Sequence, residues 1–123
     1  MGSETSKVIG DLSAFVEKTV VKIVDKVTTT LEEDTPELTG HAESNWIPQI
    51  GAPVAEPFGS RLSVSFAAQE QGLAVVAGSY KLPNTVYITN AVDYISSLNR
   101  GTSAKAPANF VQTAIAKAIK SVV

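Results

Sequence analysis

Apolar residues recur at Val8, Leu12, Phe15, Val16, Val20, Ile23, Val27 and Leu31, in steps of three, four or one. That spacing marks one face of a helix, and it predicts a single long helix over residues 7–33. Ile9, Val21 and Val24 widen the stripe, so the helix should pack on two sides. Its many valines and threonines give it modest intrinsic propensity, and it needs tertiary or quaternary packing to be stable. It should end before Pro36, because the residue before a proline is pushed toward extended geometry. Glu32, Glu33 and Asp34 lie at the negative end of its dipole and favour fraying there. The polar start, MGSETSK, is expected to be flexible over residues 1–6. It matches a myristoylation pattern at Met1, Gly2 and Ser6, a short and weak signal.

Lys18, Lys22 and Lys26 form one i, i+4 row on this helix. Like charges at that spacing repel by a few tenths of a kcal/mol. The row fits a solvated face, a contact with an acidic neighbour, or a DNA contact.

After Pro36 the chain is punctuated by turn residues: Thr35, Thr39 and Gly40, then Gly51, Pro53, Pro57 and Gly59. Between them Asn45–Ile50 reads as a short strand containing Trp46. Pro48 cannot donate to a ladder, which suggests an edge. Residues 61–80 are ambiguous. Leu62–Phe66 alternates as a hairpin strand would, yet Phe66, Leu73, Val76, Ala77 and Tyr80 fit a helix face. A helix from about Ser63 to Ser79 is favoured, although Gly72 costs it about 1 kcal/mol relative to alanine. Pro83 and Asn84 make a turn, and Thr85–Thr89 is the clearest strand. Asn90 is suited to cap a short helix over Ala91–Leu98, with Asp93 placed to return a hydrogen bond. Gly101 can take the left-handed conformation after it. Pro107 suits the first turn of a last helix, whose stripe is Phe110, Val111, Ala114, Ile115, Ala118, Ile119 and Val122. The fold class is therefore α+β. A long N-terminal helix, a small mostly antiparallel sheet, a middle helix, a short helix and a C-terminal helix on the sheet make one domain over residues 1–123.

Composition narrows function by exclusion. At 123 residues and 44% apolar content, the chain can bury one modest core. A net charge of −2 argues against a dedicated nucleic-acid binder. The absence of cysteine removes disulfides, thiolate metal sites and cysteine nucleophiles. No apolar run is long enough for a membrane span, and no signal peptide is visible, so a cytoplasmic product is the default expectation. His41 is the one histidine, and a zinc site normally needs several nitrogen or sulfur ligands. It is expected in a solvent-facing loop. Phosphate-loop, dinucleotide and hydrolase motifs are missing, so no cofactor and no enzyme activity are expected. Trp46, Tyr80, Tyr87 and Tyr94 are not interleaved with basic residues, and core or interface packing suits them better than base stacking.

Two stretches carry a family likeness. "TPELTG…SNW" resembles the "TP-V-D-TG-x-L-x-x-SW" segment of neck and tail-completion (minor tail) proteins of tailed bacteriophages. "VYITNAVDYISSLNRGTSAKAPANFV" resembles their "VYITNN-x-x-YA-x-x-LE-x-G-x-S-x-x-AP-x-G-M-V" segment. The matching positions are Thr35, Pro36, Thr39, Gly40, Asn45 and Trp46, then Val86–Asn90, Tyr94, Leu98, Gly101, Ser103, Ala106, Pro107 and Val111. Order and spacing also agree. The chain departs from the pattern at His41 and Glu43, where basic residues are common. It also departs at Asn99 and Arg100, where a glutamate precedes the glycine, and at Asn109, where a glycine follows the Ala-Pro pair.

The resemblance implies a virion structural protein at the head–tail junction, assembled in the host cytoplasm. It would form a homo-oligomeric ring of six or twelve copies around the DNA channel. Its neighbours would be head-closure, tail-terminator or tail-tube proteins, with DNA only in passage and no membrane. Trp46, Asn90, Tyr94, Gly101, Pro107 and the lysine row are the structural or interface candidates. One alternative is a non-phage oligomeric interaction module or adaptor. Another is a small enzyme or ligand-binding domain, which would require a convergent polar pocket around His41.

Overall fold

A computed structural model describes residues 2–36, 40–101 and 108–122. Helix α1 runs Gly2–Asp34, a rod of about 50 Å at 1.5 Å per residue. It begins five residues before the expected start at residue 7, so the polar opening is helical from Gly2. Once a helix has nucleated downstream, each added residue gains a hydrogen bond, and Glu4 in the first turn complements the dipole. Thr19 and Thr29 place their hydroxyls on the carbonyls of Phe15 and Asp25 one turn back, so these threonines are accommodated without a break.

A 3₁₀ turn at Glu43–Asn45 precedes strand β1, Ile47–Ile50. The strand is therefore two residues shorter than expected. Helix α2 spans Ala67–Ser79, resolving the ambiguous stretch in favour of a helix. It starts four residues late because Ser60 and Ser63 close a tight turn through two reciprocal backbone hydrogen bonds of 3.1 Å. Strand β2 is Val86–Thr89 and pairs antiparallel with β1, Pro48 opposite Ile88 and Ile47 opposite Thr89. Both strands of a two-stranded sheet are edges, which is the setting Pro48 needs. Helix α3 is reduced to Ile95–Asn99. Asn90 does receive the Val92 amide at 3.1 Å, but a turn closed by Ile95 N on Val92 O intervenes before the helix. Helix α4 spans Phe110–Val122.

The α+β architecture matches the expectation, with one difference in packing. Helix α4 lies chiefly along α1 rather than on the sheet. Small residues explain this: Ala114 and Ala118 are fully buried and let the two helices approach closely. They join Val27, Leu31, Trp46, Leu98 and Phe110 in one core cluster, with Ile88 of the sheet at its margin. A second cluster holds Val24, Val76 and Tyr80, flanked by Val20, Val21, Leu73 and Val86. The C-terminal half of α1 thus packs on two sides, α4 on one and α2 on the other, as the widened stripe predicts. Helix α2 runs antiparallel to it: Glu70 lies near Glu32 at one end, and Leu82 N donates to Glu17 Oε2 at the other.

Gly72 sets the contact between α2 and β1. A methyl group there would collide with the Pro48 carbonyl oxygen and stand 3.1 and 3.2 Å from its ring carbons. The helix interior tolerates this glycine because the backbone of β1 passes against it.

Candidate functional site

The side chains that hold the molecule together converge on the turn between α1 and β1. Thr35 N and its hydroxyl both donate to Leu31 O, closing the end of α1. The same hydroxyl accepts a 2.7 Å hydrogen bond from Trp46 Nε1. Trp46 is 6% exposed, so its ring fills the core while its N–H locks the helix end. Asn45, one residue earlier, is also buried. Its amide donates to His41 O at 2.8 Å and Phe58 O at 3.0 Å, and its carbonyl accepts from Phe58 N at 2.7 Å. The 52–60 loop is thereby fastened to the 41–45 turn much as one strand is paired to another.

Asn90 joins this centre from β2. Its amide donates to Ala42 O at 2.8 Å while its carbonyl takes the Val92 amide. Asp93 does not return a hydrogen bond to Asn90; it is exposed and faces a groove. Tyr94 packs against the core cluster and carries the Arg61 guanidinium over its ring, 5.7 Å from the centroid. Gly101 adopts φ +87°, the left-handed geometry expected of it. Its lack of a side chain also admits Ala108, whose Cβ would stand 3.0 Å from a methyl at 101. Pro107 lies outside the described residues.

Helix α4 starts on a residue that the sequence reading passed over. Asn99 O accepts from Asn109 N at 2.7 Å, and Asn99 Oδ1 accepts from Val111 N at 3.0 Å. Asn99 therefore caps a helix eleven residues downstream. Asn109 adopts φ +65°. Asparagine tolerates that conformation better than other non-glycine residues, so a glycine position can accept it at small cost.

His41 corrects an expectation. It is 8% exposed rather than solvent-facing, because the Gly40–Asn45 turn folds over it and Asn45 Nδ2 approaches its Nδ1 at 3.3 Å. It lines an open groove of about 750 Å³ with Ser60, Arg61, Asp93, Tyr94 and Ser97. Arg61 rests on Tyr94, and Ser97 Oγ receives Arg100 Nη2 at 3.2 Å. Among the described residues no three metal-ligating side chains cluster, and no helix is long and apolar enough to cross a membrane.

The lysine row is exposed along α1. Lys18 and Lys22 border a shallow depression with Tyr80 and Lys81. At the far end of the α1–α2 pair, burial pushes the Glu32 carboxyl above its ordinary range, and the nearby Glu33 and Glu70 charges add to it. Glu17 lines the same depression as Lys18 and Lys22. Beyond the body, Val8, Ile9, Leu12 and Phe15 are 60–66% exposed. The same helical stripe that builds the core continues outward, and among the described residues nothing covers it.

Comparisons with protein-family models, curated proteins and solved structures find no significant match.

Proposed function

We propose that this chain is a structural subunit of a tailed-bacteriophage virion, a neck or tail-completion protein that forms a ring at the head–tail junction around the DNA channel. The supporting observation is the convergence of the two segments that carry the resemblance. They lie some forty residues apart in sequence, yet they form one unit. Thr35 and Trp46 are hydrogen-bonded, Ala42 is held by Asn90, and Trp46, Leu98 and Phe110 share one core. Of the positions that carry the resemblance, Thr35, Trp46, Asn90 and Leu98 take part in this unit, each through packing or a hydrogen bond within the chain. The role is structural and non-catalytic, and its surfaces are for assembly. The uncovered apolar stretch of α1 suits a subunit that is completed by neighbours.

Disrupting the gene in the source phage tests the reading. Filled heads separated from finished tails are expected, and the protein should be found by mass spectrometry in purified wild-type particles. Normal infectious particles without the gene would refute it. So would absence of the protein from virions, which is the outcome expected of an adaptor acting outside the particle.

A further inference from the structure

The exposed outer part of α1 carries an apolar stripe that is symmetric in sequence. Ile9 and Phe15 stand three residues to either side of Leu12, and Val8 and Val16 stand four residues to either side. At 3.6 residues per turn all five fall on one face, with Leu12 at its centre, and all five are exposed. Turning a helix end for end normally changes the order of its spacings and misplaces its apolar residues. This stripe keeps its order. A second copy laid antiparallel on the first, with Leu12 against Leu12, brings Val8 level with Val16 of the other copy and Ile9 level with Phe15.

Charge decides the direction. Glu4, Asp11 and Lys18 follow one another at intervals of seven, so they form a line along one flank of the stripe. In an antiparallel pair related by a two-fold axis, each flank meets the same flank of the other copy. Glu4 then comes within two residues of rise, about 3 Å along the axis, of Lys18 of the other copy. Symmetry makes this contact twice, against one meeting of Asp11 with Asp11. In a parallel pair in register, the same flank meets the opposite one, formed by Ser6, Ser13 and Val20, and gains no opposite charge. Helix dipoles also favour the antiparallel arrangement. The other charges of this stretch, Lys7 and Glu17, lie on the far side of the helix, where Glu17 accepts from Leu82 N within the chain. Five side chains of these sizes expose roughly 500 Å² in each copy, so a pair covers about 1,000 Å², the lower bound of a specific contact.

We infer that the outer parts of α1 from two copies pair antiparallel about a two-fold axis at Leu12. The inference goes beyond the virion reading. A two-fold contact is complete at two copies, so it joins subunits in pairs and leaves the contact that builds a ring to other surfaces.

Single cysteines test it, because the chain has none of its own. Facing residues of helices about 8–10 Å apart lie within disulfide reach. Under mild oxidation of the purified full chain, Leu12→Cys should form a disulfide-linked dimer with its own copy. Val8→Cys and Val16→Cys should each do so at least tenfold more slowly when alone, whereas the two mixed one to one should cross-link at a rate near that of Leu12→Cys. All three positions are exposed, so the variants should keep the wild-type circular dichroism spectrum. In the Leu12→Cys chain, adding Lys18→Glu should slow cross-linking at least threefold, and adding Glu4→Lys to that should restore it. Cross-linking of Leu12→Cys no faster than in urea overturns the inference, and is the outcome expected if the stripe seats in a groove of another protein. So does Val8→Cys that links to itself faster than to Val16→Cys, the mark of a parallel pair, or a Lys18→Glu loss that Glu4→Lys fails to rescue. Failure of the cross-links leaves the virion role standing, and absence of the protein from virions leaves the pairing standing.

Discussion

Helix α2 contains two glycines whose replacement by alanine should move stability in opposite directions. On propensity alone each change favours the helix by up to about 1 kcal/mol, and part of that gain comes from restricting the unfolded chain. Gly78 has open space where a Cβ would stand, so Gly78→Ala should gain about 0.5–1 kcal/mol. Gly72 has the backbone of β1 there. The obstacle is the Pro48 carbonyl oxygen, which belongs to a paired strand and cannot rotate away as a side chain could. Accepting the methyl group requires α2 to move off β1 by the better part of an ångström. That opens the contact beside Val76 and Leu73, both packed in the second core cluster. Overpacking of this kind costs about 1–3 kcal/mol, which exceeds the propensity gain. Gly72→Ala should therefore lose about 1–2 kcal/mol net.

The two variants have the same composition and alter the same helix, so their difference isolates the steric contribution. Urea unfolding at one fixed protein concentration reads it, because association would otherwise shift the midpoint. The expected separation is about 2 kcal/mol between the two variants, with the wild type between them. If Gly72→Ala were as stable as Gly78→Ala, α2 would not lie against Pro48 as described.

Other consequences follow from the buried polar centre. Trp46→Ala removes the largest core side chain and the hydrogen bond to Thr35, and should cost about 3–5 kcal/mol in a melting experiment; an unchanged curve would place the ring outside the core. Asn45→Ala strands the amide and carbonyl of Phe58 and should cost about 2–3 kcal/mol, with the 52–60 loop losing hydrogen-exchange protection first. Thr28 is fully buried and its hydroxyl has no hydrogen-bond partner among the described residues. Thr28→Val should therefore raise stability by about 1 kcal/mol, and a loss would reveal a partner for that oxygen. Glu32 has its carboxyl pushed up by burial and by neighbouring acids, so its charge disfavours the folded state at neutral pH. Its contribution is most favourable below the ordinary glutamate value and is lost as pH rises through the raised one. Glu32→Gln should accordingly stabilise the protein at pH 7 and give no advantage near pH 4, read from unfolding midpoints at the two values.

The long-range plan of the chain was legible in its sequence because α1 and α4 are written as unbroken stripes. Val24, Val27 and Leu31 could be placed in a core from spacing alone, and their burial follows. The Asn45–Ile50 stretch was harder. Its first residues are spent on a 3₁₀ turn whose stability comes from Phe58, thirteen positions away, and no local pattern contains that partner. His41 illustrates the same limit. A lone histidine among turn residues looks solvent-facing until the turn is seen to fold over it. Gly72 could be flagged as an expense to its helix, but the reason for the expense is the strand it touches. For the outer half of α1, the sequence showed an apolar stripe without showing that only part of it would be covered.

Three asparagines account for much of what spacing could not reveal. Asn45 joins the 41–45 turn to the 52–60 loop, Asn90 joins β2 to that turn, and Asn99 joins α3 to the start of α4. Asn45 and Asn90 each use the amide as donor and the carbonyl as acceptor toward backbone groups, which is the pairing capacity of a peptide unit carried on a side chain. Aspartate would keep the acceptor and lose the donor, leaving the Ala42 or Phe58 carbonyl without its partner. Alanine would lose both. A local reading sees asparagine as a turn or cap residue, and Asn90 does serve as one for Val92. Its second bond, to Ala42, is the one that draws the two distant motif segments together. The irregular segments are therefore pinned by side-chain amides as well as by helix packing.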